Sequence, residues 1–113
     1  MIHVKICGIT SFNDAIMAAN YGASALGFIF YEKSPRYINP KTLKTWISNV
    51  PSSVKKVGVF VNKDVDIVNK IAEELNLSMV QLHGDESPEY CNQMIKPVIK
   101  VFRVIFIKDF RVI

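Results

Sequence analysis

Short apolar runs alternate with amphipathic segments along the 113-residue chain. The runs fall at 3–7, 25–30, 56–61, 79–83 and 98–104, and are rich in Val, Ile, Leu and Phe. Near-continuous runs of this kind predict parallel strands buried on both faces. Each interval predicts a helix. In the first, Ser11 and Asp14 stand at capping-box spacing, Ala15, Ile16 and Ala19 follow, and Gly22 marks the stop. In the second, Asn39 is a good cap, Pro40 a good first residue, and Pro51 lies beyond the end. The third has an apolar stripe of Val68, Ile71 and Leu75, with Glu73 and Glu74 turned outward. The fourth opens at Ser87-Pro88 and ends before Pro97, which puts Cys91 mid-helix as a packing residue. The pattern is (βα)₄β in a single domain.

Such alternation fits an open doubly wound sheet or a (βα)₈ barrel. A complete barrel takes at least about 200 residues, so this chain amounts to roughly half of one. In both architectures the chemistry sits where strands end and βα loops begin. Those positions are Lys5-Ile6-Cys7-Gly8-Ile9-Thr10, Phe30-Tyr31-Glu32-Lys33-Ser34-Pro35-Arg36-Tyr37, Asn62-Lys63 and Gln81-Leu82-His83-Gly84-Asp85. After the first strand the second and third glycines of a dinucleotide loop are missing, and no phosphate-cradling loop occurs. The two main reasons for an open nucleotide-binding sheet are thereby removed.

Composition narrows the class further. Half the residues are apolar and 21% charged, the balance of a folded globular protein. No stretch reaches the roughly 18 uninterrupted apolar residues of a membrane span, and Lys5 interrupts any secretory h-region. The net charge of +4 resides from Lys96 onward, where five basic residues face Asp109; residues 1–95 carry nine of each sign. No basic face interleaved with aromatics stands in the body of the chain, which argues against nucleic acid. Cys7 and Cys91 are too few for a disulfide framework and lack metal-ligand spacing, so a reducing, cytoplasmic setting is expected.

Cys7 ends a strand two residues after Lys5, on the same side. Beside an ammonium its thiolate is favoured, which suits a general base or a nucleophile; a buried, inert thiol is the alternative. Arg36 lies in a long βα connection behind the stiff Pro35. It could grip a carboxylate in two-point fashion or stand solvated. Gln81 and His83 alternate onto one face, with Gly84 permitting close approach. The imidazole could donate a hydrogen bond, shuttle a proton or tie down a loop. These residues predict one pocket holding a thiol, a guanidinium, an amide and an imidazole, without defining a reaction.

Lys5-Ile6-Cys7-Gly8-Ile9-Thr10, Gly27-Phe28-Ile29-Phe30, Ser34-Pro35-Arg36-Tyr37-Ile38, Val57-Gly58-Val59-Phe60-Val61 and Val80-Gln81-Leu82-His83-Gly84 resemble, in order and spacing, those of phosphoribosylanthranilate isomerase. The resemblance covers residues 2 to about 104. It implies a cofactor-free (βα)₈ TIM barrel acting in tryptophan biosynthesis. The implied reaction is the Amadori rearrangement of N-(5-phosphoribosyl)anthranilate to 1-(2-carboxyphenylamino)-1-deoxyribulose 5-phosphate. By the resemblance Cys7 is the base that removes the C2′ proton, Arg36 holds the anthranilate carboxylate and His83 lines the substrate pocket. Gln81 joins the substrate-binding set through the face it shares with His83, and Lys5 is a supporting residue as the ammonium beside Cys7.

The family's general acid is an aspartate ending the sixth strand, and its phosphate site lies after the seventh and eighth strands. Neither is among these residues. The tail is also atypical, since Phe102-Arg103-Val104-Ile105 recurs as Phe110-Arg111-Val112-Ile113 where a polar loop is due. The expectation is an N-terminal half-barrel, inactive alone, that self-associates through open sheet edges or pairs with a C-terminal half. Two other readings stand beside it: a non-catalytic assembly module, and a barrel enzyme acting on another phosphosugar.

Overall fold

The structure is a computed structural model that describes residues 3–102. The end of the fifth predicted strand and the tail at 105–113 lie outside the described residues. Strands β1 (Lys5–Cys7), β2 (Ala25–Ile29), β3 (Lys55–Phe60), β4 (Met79–Leu82) and β5 (Val98–Lys100) form one parallel sheet. Helices α1 (Phe12–Asn20), α2 (Pro40–Lys44), α3 (Val65–Glu74) and α4 (Pro88–Cys91) follow the first four strands in turn, with a 3₁₀ turn at Ile47–Asn49 after α2. The sheet order is β1-β2-β3-β4-β5. A doubly wound sheet reverses direction at a switch point between strands. This sheet advances one strand at a time across its width.

The register sorts side chains onto two faces. Leu26, Phe28, Phe60, Val80 and Leu82 point one way and are fully buried. They join Ala15 of α1, Leu43 of α2, Val68 and Ala72 of α3, and Ile47 in one core cluster. Phe28 meets Trp46 edge-on at 6.0 Å, and Phe30 packs against Phe60 at 5.1 Å. On the opposite face Cys7 pairs with Gly27, Gly27 with Val57, and Val59 with Gln81. Burial on both faces therefore holds for β2, β3 and β4. All three residues of β1 are exposed, because it pairs only with β2 among the described residues.

The helix ends follow their local signals. The Ser11 Oγ accepts from the Asp14 amide at 3.1 Å, and α1 stops before Gly22, whose φ of +97° only glycine adopts freely. Asn39 and Ser87 cap α2 and α4 in the same way, each followed by proline. Both helices are shorter than their patterns predict. Trp46 leaves helical geometry (φ −137°) where its ring packs between Phe12 and Phe28. After α4, Asn69 of α3 captures the chain: its amide donates to the Gln93 carbonyl at 2.9 Å, and its carbonyl accepts from the Ile95 amide at 3.0 Å. Cys91 consequently ends a one-turn helix instead of sitting mid-helix, although it does pack half-buried against the core.

Candidate functional site

Cys7, Arg36, Gln81 and His83 stand at or beyond the C-terminal ends of β1, β2 and β4, and Lys5 opens β1. Cys7 is the last residue of β1 and is exposed. Its neighbour Gly8 has φ +89°, which turns the chain sharply out of the sheet. Across the register, a Cβ built on Gly27 would come within 2.8 Å of the Cys7 Sγ, so glycine makes the room the thiol occupies.

Arg36 reaches the same place from the connection between β2 and α2. That loop is folded on itself: the Ser34 amide donates to the Tyr31 carbonyl at 3.0 Å, and the Ser34 Oγ accepts from the Arg36 amide at 3.1 Å. The Ile38 amide then donates to the Ile29 carbonyl, returning the chain to the end of β2. The Arg36 side chain is laid over Gly8, where an added Cβ would meet its Cδ at 2.5 Å. Its Nη1 donates to the Cys7 carbonyl at 3.5 Å. Cys7 and Arg36 also border a groove of about 530 Å³ whose other walls, among them Val4, Ile6, Met17 and Tyr21, belong to the β1 edge and α1, on the face opposite the Cys7 side chain.

Lys5 lies two residues below Cys7 on the same face, and its Nζ donates to the Gln81 Oε1. Gln81 is nearly buried at 9% exposure, so its carbonyl is committed to the lysine. The pair links the first and fourth strands across the face that carries Cys7.

His83 does not share the groove of Cys7 and Arg36. It is exposed just past β4 and lines a second hollow of about 750 Å³ with Tyr31, Val61, Asn62, Asp85 and Lys100.

The second hollow contains a residue that the sequence did not point to. Glu86 has a side chain only 1% exposed, and its Oε1 pairs with the Lys100 Nζ at 2.8 Å. The same oxygen accepts from the Gly84 amide at 2.9 Å, and Oε2 accepts from the Asn62 amide at 2.8 Å. Asn62 adopts φ 49° and accepts the Asp85 amide on its own Oδ1. Tyr90 fixes the same loop by donating from its hydroxyl to the Lys63 carbonyl. Burial, with the charges of Glu86, Asp64 and Cys91 nearby, pushes that phenol up to about 12. Glu86 precedes a Ser-Pro helix start, and in sequence alone it reads as an ordinary solvated acid.

Burial pushes the Glu86 carboxyl up, but the Lys100 ammonium, the Asn62 amide and the residue's own amide outweigh it and hold the group below the ordinary carboxylate range. A depressed folded-state pKa adds stability that is present above the unfolded value and lost as the pH falls through the folded one. Thermal melts of the parent and Glu86→Gln are therefore expected to differ most near neutral pH. The gap should narrow as the pH drops below about 4.3. A gap unchanged down to pH 3 would show that the charge of Glu86 contributes nothing.

Among the described residues, no group of three His, Cys, Asp or Glu side chains is placed to hold a metal. Nor is any described helix long and apolar enough to cross a membrane.

Residues 4–110 match the family model described as N-(5'phosphoribosyl)anthranilate (PRA) isomerase. The N-(5'-phosphoribosyl)anthranilate isomerase of Citrifermentans bemidjiense is 53% identical over 104 residues, covering 92% of this chain and 50% of that protein. The crystal structure of phosphoribosyl anthranilate isomerase from Thermotoga maritima superposes with a TM-score of 0.86 at 43% identity, over 88% of this chain and 50% of that one. A phosphoribosyl anthranilate isomerase in complex with reduced 1-(o-carboxyphenylamino)-1-deoxyribulose 5-phosphate superposes with a TM-score of 0.85 at 43% identity, over 88% of this chain and 53% of that one. The chain spans about half the length of the curated relatives it matches.

Proposed function

The chain belongs to the N-(5'-phosphoribosyl)anthranilate isomerase family, and on that premise we propose that it supplies the base and the anthranilate-binding side of the Amadori rearrangement in tryptophan biosynthesis. The consecutive strand order, with one helix-covered face, supports reading residues 1–113 as the N-terminal half of a (βα)₈ barrel. The single observation that carries the catalytic reading is the arginine lying over Gly8, its guanidinium beside the residue that bears the thiol.

In this reading an acid from the remaining strands protonates the ribose ring oxygen, and the ring opens to a protonated imine at C1′. The Cys7 thiolate then takes the C2′ proton. The electrons of the broken C–H bond form the C1′=C2′ bond and neutralise the imine nitrogen, giving the enolamine. Arg36 grips the carboxylate on the aromatic ring through two parallel hydrogen bonds, which holds C2′ within reach of the sulfur. His83 borders the sugar from the second hollow, and the Lys5–Gln81 pair supports the floor between them. No step requires a cofactor. The occupant is a small anionic substrate, with no role for nucleic acid or membrane.

The test uses residues 1–102 joined to the C-terminal half of the Citrifermentans bemidjiense relative, with turnover followed as loss of substrate fluorescence. Arg36→Lys is expected to raise KM about tenfold, the scale of one lost charge-assisted hydrogen bond. An analogue lacking the carboxylate should change less than about twofold on the same scale. Equal losses for both would assign Arg36 to folding or to the phosphate. A chimaera that converts another phosphosugar and not this substrate would overturn the functional reading.

A further inference from the structure

We infer that Glu86 is a positioning residue for His83, acting through the Gly84 peptide, and so sets substrate affinity on the sugar side of the site. The inference rests on the reading of His83 as a substrate-pocket residue. Among the described residues no side chain hydrogen-bonds the His83 imidazole, so the direction of the ring is set by its backbone and local packing. That backbone is clamped closely. The His83 amide donates to the Phe60 carbonyl at 2.9 Å, and the next amide, Gly84, donates to Glu86. The Gly84 carbonyl accepts the Lys100 ammonium, which Glu86 holds from its other side. Space is equally tight, since a Cβ on Gly84 would collide with the Asn62 amide group, itself held by the Asn62 backbone's bond to Glu86.

One carboxylate therefore joins the ends of β3, β4 and β5. It is nearly fully buried, so both oxygens act in a low-dielectric setting where such bonds are strong and their loss is costly. Glu86→Gln removes the charge that holds the Lys100 ammonium and turns one acceptor into an NH₂: at Oε1 that lets the Gly84 peptide move, and at Oε2 it lets the Asn62 backbone move, against whose side chain Gly84 packs. Either movement swings the imidazole. Among the described residues, the thiol and guanidinium, on β1 and the connection after β2, share no hydrogen bond with this network.

The experiment is a double-mutant cycle in the same chimaera, read as KM, as kcat, and as the Kd of reduced 1-(o-carboxyphenylamino)-1-deoxyribulose 5-phosphate. Glu86→Gln should raise KM and Kd about tenfold and leave kcat within about twofold. In a His83→Ala background the same substitution should add less than about twofold, since residues acting as a unit are not additive. An equal rise in both backgrounds, or a loss confined to kcat, overturns the inference. If Glu86→Gln does not fold, Glu86→Asp serves in its place: it keeps the charge, shortens the reach, and should show the same coupling at smaller amplitude. The ligand Kd separates this inference from the functional reading, because it needs no proton transfer. Coupling in Kd with no turnover would remove Cys7 chemistry and keep the positioning role. If the ligand does not bind, the ¹H–¹³C signal of the His83 ring decides: it must shift in Glu86→Gln while α1 amides stay in place, and an unmoved signal sinks the inference.

Discussion

Replacing Cys7 with alanine in the completed chimaera is expected to lower kcat at least about 100-fold, the usual scale for losing a general base, with the Kd of the reduced product analogue nearly unchanged. The thiol is the last side chain of β1, and Gly27 opposite leaves space for it. Alanine fits that space without disturbing the register. Arg36 approaches through Gly8 and the Cys7 carbonyl, neither of which the substitution touches. Binding should therefore survive while proton removal does not. Cys7→Ser separates basicity from shape, since a hydroxyl of similar size is a far weaker base at neutral pH. It should fall with alanine and not with the parent. Turnover within a few-fold of the parent for either variant would remove Cys7 from the mechanism.

The polypeptide of residues 1–113 by itself is expected to show no measurable isomerisation and to run as an oligomer or aggregate. By the resemblance, ring opening needs an acid on the sixth strand and positioning needs a phosphate grip beyond it. Without ring opening the C2′ proton is not acidified, and without the phosphate grip much of the binding energy that orients the substrate is absent. The open sheet explains the second half of the expectation. β1 pairs only with β2, and β5 only with β4, among the described residues. Val4 and Ile6 beside the β1 edge are 41% and 40% exposed, and Met17 and Tyr21 of the neighbouring helix and its cap are more exposed still. Unpaired edges flanked by apolar side chains recruit other chains. Light scattering and the fluorescence assay, with and without a separately expressed C-terminal half, check both parts. A monomer that turns over substrate unaided would overturn both.

Periodicity, caps and glycines alone determined the alternation of strands and helices and the positions of the strand ends. Ser11, Asn39-Pro40 and Ser87-Pro88 start helices where expected because an N-cap is a local event, satisfied by a side chain two or three residues from its partner. Val68 and Leu75 face the core because a stripe at helical spacing has no other way to be buried. Cys7, Arg36 and His83 were legible as strand-end residues for the same reason, and the run of motifs was enough to name the family. What only the tertiary structure decided lies between segments far apart in sequence. Asn69 ends the fourth helix early from another helix, and the Trp46 ring, claimed by Phe12 and Phe28, shortens the second. The contact of Lys5 with Gln81 across the sheet face, 76 residues apart, is likewise encoded by no local pattern. Glu86 is the clearest case. Its role depends on a lysine 14 residues away and on an amide 24 residues away, brought together only when three strands align. Local spacing carries no trace of such a contact, because its energy comes from burial and geometry that exist only in the folded sheet.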